Sequence, residues 1–96
     1  INSSLNTFFF PYSKICGTIY CMSGQPGDAL RIARRGCTKK LSDLFAEAHI
    51  PALSRPLVPV LRDGEGVLAV YGLASAERAV PKPGERTLKI EFAKIN

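Results

Sequence analysis

The chain has 96 residues, 46% hydrophobic and 22% charged, with 13 Lys and Arg against 8 Asp and Glu for a formal net charge of +5. A chain this long buries roughly 60 to 70% of its unfolded surface, which supports one modest core and excludes a large enzyme with its own cofactor domain. Its longest apolar run, Phe8-Phe9-Phe10-Pro11-Tyr12, is far below the roughly 20 residues that cross a bilayer, and no signal-peptide pattern precedes it, so a cytoplasmic protein with no membrane partner is expected.

The first residue is Ile1 rather than Met, so the expectation is a chain processed or cut from a longer polypeptide. Leu5 to Phe10 and Thr18 to Met22 are rich in aromatic and β-branched residues and read as two strands joined by a turn. Pro26-Gly27 then suits a type II turn, because Gly takes the positive φ of its third position cheaply. Leu30 and Ile32 flank Arg31 in a brief extended piece, and residues 34–40, Arg-Arg-Gly-Cys-Thr-Lys-Lys, read as a basic loop entering a helix.

Leu41, Leu44, Phe45 and Ala48 fall at i, i+3, i+4 and i+7, which predicts an amphipathic helix with Thr38 as its N-cap and Pro51 as its stop. A short helical turn is expected over 51–55. Leu57 to Leu61 and Val67 to Leu73 flank Asp63-Gly64, a hairpin signal, with Gly66 allowing a bulge. The polar stretch 74–85 is expected to be a surface loop. Leu88, Ile90 and Phe92 alternate with Lys89, Glu91 and Lys94 in a last half-buried strand over 87–93. The fold class this predicts is α+β: short, mostly antiparallel strands with one amphipathic helix and a short helical turn, in a single domain over residues 1–96.

Few residues suggest catalysis. His49 is the lone histidine and reads as a cation beside helix C-terminal carbonyls rather than a catalytic base. The eight carboxylates, Asp28, Asp43, Glu47, Asp63, Glu65, Glu77, Glu85 and Glu91, are scattered along the chain. Cys16, Cys21 and Cys37 match neither zinc nor dithiol spacing and read as reduced thiols, with no metal site.

The informative group is Arg31, Arg34, Arg35, Lys39 and Lys40, followed by Arg55 and Arg62. Such a run alone is as often a solvated face as a binding surface. Its position shifts the balance: at a helix start each Lys is disfavoured by roughly 0.3 to 1 kcal/mol unless an anion is bound. Several dispersed cations, without a compact glycine-rich cradle, suit a polyanionic backbone better than a single nucleotide. Most of Phe8, Phe9, Phe10, Tyr12, Tyr20, Phe45, Tyr71 and Phe92 fall on core positions, Tyr12 being the foremost exception, so recognition of duplex shape and phosphates is expected over base stacking.

From Gln25 to Gly72 the order Pro26-Gly27-Asp28, Arg31, Thr38-Lys39-Lys40-Leu41-Ser42-Asp43-Leu44-Phe45, Ile50-Pro51, Arg55 and Pro59-Val60-Leu61 resembles the C-terminal domain of the tRNA(Ile)-lysidine synthetase (MesJ cell-cycle protein) family. The resemblance implies a small β-sandwich of the type shared with a domain of the phenylalanyl-tRNA synthetase β subunit. It also implies a tRNA partner, held by its acceptor stem, with Arg31, Lys39, Lys40 and Arg55 as carried-over contacts; Arg34, Arg35 and Arg62 rest on charge alone. The family's ligase chemistry, which uses ATP with magnesium and lysine, is implied for an N-terminal catalytic domain outside this chain, so no cofactor is expected within it. Family cations flanking Pro-Gly-Asp are replaced here by Gln25 and Ala29. The competing expectations are a module that docks on its own N-terminal domain or forms a homodimer, and an autonomous small enzyme.

Overall fold

The computed structural model describes residues 6–93. At the centre lies a four-stranded antiparallel sheet of β2 (Tyr20–Met22), β5 (Val60–Asp63), β6 (Gly66–Val70) and β7 (Ala74–Ser75), in that order. Two antiparallel ribbons flank it: β1 (Thr7–Pro11) with β8 (Thr87–Glu91), and β3 (Ala29–Arg31) with β4 (Thr38–Lys40), which runs into α1 (Leu41–Glu47). The expected antiparallel α+β class is what the chain adopts. No helix among the described residues is long and apolar enough to cross a membrane.

The central sheet is covered on both faces, which is why β6 reads as a continuous apolar run. Val60, Val67 and Val70 pack with Leu30, Ile32, Leu41, Leu44 and Phe45 on one face. Leu61, Leu68 and Ala69 pack with Phe8 and Phe10 on the other. Strict alternation would send Leu68 and Ala69 to opposite faces. A register shift at Leu61 and Arg62 reverses the pattern there, as a β-bulge does. The expected hairpin forms, with Asp63 opposite Gly66. Gly64 is required in it because a Cβ would sit 2.9 Å from the Cys16 carbonyl oxygen.

Five expectations change. The strands around Phe8 and Tyr20 do not pair with each other: β1 pairs with β8, where Phe8 faces Ile90 and Phe10 faces Leu88, while β2 pairs with β5. Residues 38–40 form a strand rather than a loop and cap; their cross-strand hydrogen bonds to β3 need no apolar side chains of their own. The helical turn moves to a 3-10 turn at Arg55–Leu57, after a closure from Ser54 N–H to the Pro51 carbonyl. The stretch 74–85 is no mere surface loop, since β7 and a 3-10 turn at Glu77–Ala79 bury Ala74, Ala76 and Ala79. Leu5 and Lys94, expected in strands, lie outside the described residues.

Helix α1 ends in a Schellman closure rather than continuing to Ile50. Ile50 N–H donates to the Phe45 carbonyl at 2.9 Å and His49 N–H to that of Ala46 at 3.1 Å. His49 therefore holds φ 58 at the position where Gly is customary. His49→Gly is expected to stabilise the fold by about 1 kcal/mol, raising the melting temperature by about 4 to 8 °C. Calorimetry checks this, and an unchanged or lower midpoint would contradict it.

Candidate nucleic-acid interface

The site begins with the turn at Gln25–Asp28. Asp28 N–H donates to the Gln25 carbonyl at 3.1 Å with Gly27 at φ 85, the expected type II geometry. Asp28 closes the turn a second time, its Oδ2 accepting the Gln25 N–H at 2.8 Å. The same carboxylate takes both terminal nitrogens of Arg62 from β5, which anchors the turn to the central sheet. The Arg62 guanidinium beside it holds the Asp28 carboxyl below its ordinary range, against the opposing effect of burial and with help from the Gln25 N–H.

The Asp28 carbonyl also accepts the Leu41 N–H at 3.0 Å, so the turn and the start of α1 are joined. Between them opens a cleft of about 280 Å³. Lys40 and Arg55 stand on its walls with Ser42 and Phe45. Neither cation has a carboxylate partner among the described residues. Arg55 is held in place by its Nε, which donates to the Ile50 carbonyl at 3.0 Å, and by the Phe45 ring, 5.7 Å from its guanidinium carbon. Lys40 occupies the N-cap position itself and makes no side-chain cap hydrogen bond. The expected cap at Thr38 is thus displaced by two residues. With seven residues and its first N–H already bonded, α1 offers less to an anion than the sequence suggested; the cleft's positive character rests on the side chains.

The other predicted cations lie elsewhere. Lys39 faces the opposite side of the ribbon from Lys40, because neighbours on a strand alternate, and pairs with Glu47. Arg35 sits 3.7 Å from the same Glu47, and Arg31 binds Glu77 at 2.7 Å. Arg62 is committed to Asp28 with both side chains largely buried. Arg34 lines a separate cleft beside β1. Lys40 and Arg55 are therefore brought together with the Pro-Gly-Asp turn, while Arg31, Arg34, Arg35, Lys39 and Arg62 are not.

Sequence reasoning missed two features. Glu47 and Glu77 neutralise cations that lie far from Glu77 in the chain and one helix away from Glu47. Phe9, Tyr20 and Tyr71 join Tyr12 as exposed aromatics; strand alternation around Phe9 carried that signal. The three cysteines are free thiols, and among the described residues no three His, Cys, Asp or Glu side chains gather as a metal site.

Comparison with known proteins places the sequence and the fold. The sequence model of the family described as TilS substrate C-terminal domain matches residues 21–92. The tRNA(Ile)-lysidine synthase of Clostridioides difficile (strain 630) is 31% identical over 87 residues, covering 90% of this chain and 18% of the relative. That of Caldanaerobacter subterraneus subsp. tengcongensis is 35% identical over 88 residues, covering 90% and 19%. The chain thus spans about a fifth of the length of these relatives. A crystal structure of a TilS C-terminal domain superposes with a TM-score of 0.76 over 93% of this chain and 72% of that one at 23% identity, which shows a common fold. By family match and fold together, the chain belongs to the TilS substrate C-terminal domain family.

Proposed function

We propose that this chain is the tRNA-holding module of a tRNA(Ile)-lysidine synthase, binding the acceptor stem through its phosphate backbone. The observation that carries this is the cleft at the Pro-Gly-Asp turn, where Lys40 and Arg55 stand without carboxylate partners among the described residues while Arg31, Arg35, Lys39 and Arg62 are each paired with one. Residues 1–96 serve as one module of a longer cytoplasmic ligase. Its N-terminal catalytic domain binds ATP with magnesium and the lysine substrate; this chain's contribution is to bind and orient tRNA.

The contact is electrostatic, so affinity for tRNA should fall with salt. Each phosphate neutralised contributes about 0.7 to 0.9 to the slope of log affinity against log salt. Two cations in the cleft predict a slope of about −1.5 or steeper, measured by fluorescence anisotropy with labelled tRNA. Leu53 and Leu57, 91% and 80% exposed on the connector after α1, favour a second reading, a docking or dimerisation module without RNA contact. Absence of tRNA binding at low salt, with a concentration-dependent mass, would support that reading instead.

A further inference from the structure

We infer that a second cleft, between β1 and β7, receives an unpaired nucleotide of the bound RNA, with its base on Phe9 and its phosphate on Arg34 and Arg35. The cleft has a volume of about 460 Å³, within the range of small-ligand sites. Its walls include Phe9, Ser75 and Val80 together with both arginines, and among the described residues no carboxylate lines it, although Arg35 also lies 3.7 Å from Glu47. Phe9 is 48% exposed on a strand whose neighbours Phe8 and Phe10 are buried. A large apolar ring left this open beside cations is what sequence-tolerant single-strand sites use, because every base offers a π face.

The backbone at Arg34 is an independent observation. Arg35 N–H donates to the Ile32 carbonyl at 3.3 Å, closing a turn with Arg34 in its third position at φ 69. Glycine or asparagine suits that conformation; arginine is strained there. The strained residue is also one without a carboxylate partner among the described residues, and it stands on the cleft wall. Across the ribbon Lys89 is in register with Phe9, loosely paired with Glu91 at 3.8 Å, and adds a further cation on the ring's face of β1. β1, which carries Phe9, precedes the residues matched by the family model, whereas Arg34 and Arg35 lie within them.

This inference rests on the RNA-binding reading, and two probes separate them: a stem-loop RNA with a flush end, and the same stem with an unpaired 3′ extension. The protein is expected to bind the extended RNA about tenfold more tightly. Phe9→Ala removes that advantage without changing affinity for the flush stem, and Phe9→Tyr restores it. Arg34→Gly, which relieves the strained backbone, also weakens binding of the extended RNA while the melting temperature holds or rises. Equal binding of both RNAs by the unsubstituted protein, or an equal loss for both in Phe9→Ala, would overturn the inference and leave the first cleft standing. Failure to bind either RNA would overturn both.

Discussion

Replacing Asp63 with alanine is expected to destabilise the protein by about 3 to 5 kcal/mol at neutral pH, a large share of the 5 to 15 kcal/mol that holds a domain folded. The Asp63 side chain is fully buried and ties its own hairpin to Cys16 and to Arg78. Its oxygens accept N–H groups of Cys16 at 2.8 Å and Glu65 at 2.9 Å, and both terminal nitrogens of Arg78 at 2.7 and 3.3 Å. Arg78 also donates to the Gly66 carbonyl at 3.2 Å. Alanine would leave two backbone donors and a guanidinium without their acceptor. Denaturant titration checks the magnitude, and a loss under about 1 kcal/mol would contradict it.

The same residue sets an acid limit. Burial works against ionisation of Asp63, yet the Arg78 hydrogen bonds and the Cys16 and Glu65 N–H groups outweigh it and hold its carboxyl below the ordinary value of 3.8. Asp28 is depressed likewise. A carboxyl whose folded pKa is lowered contributes stability that is present above its unfolded pKa and is lost as pH falls through the folded one. Stability should therefore decline below about pH 4, and less steeply in Asp63→Asn.

Much of the fold was legible because local physics decided it. The spacing of Leu41, Leu44 and Phe45 specifies one helical face, Pro26-Gly27 can make few other turns, and Asp63-Gly64 lies between two apolar runs. What was not legible depends on partners distant in sequence. Thr38-Lys39-Lys40 carries no apolar alternation, and only β3 beside it makes it a strand. Ala74, Ala76 and Ala79 look like loop residues until the close packing around them demands small side chains. In the site, the basic run was visible but its neutralisation was not: Glu77 reaches Arg31 across 46 positions of chain. Charge density along a sequence therefore overstates charge on a surface, and the residues left after internal pairing are the better guide.

Lys40 is where stability and binding pull apart. It occupies an N-cap, where Asp, Asn, Ser or Thr would satisfy a backbone donor, and its charge opposes the helix dipole. Lys40→Asp supplies both the cap and the favourable sign, so the variant should be more stable by about 1 kcal/mol. On the proposed account it should also bind tRNA about tenfold more weakly near 0.1 M salt, with a salt slope shallower by about 1.

The most direct measurement is thus tRNA affinity of Lys40→Asp and the unsubstituted protein across a salt series, with thermal melting of both in parallel. A variant that melts higher but binds more weakly, with the shallower slope, is the predicted result. Unchanged affinity and slope in a folded variant would show that no phosphate rests against Lys40.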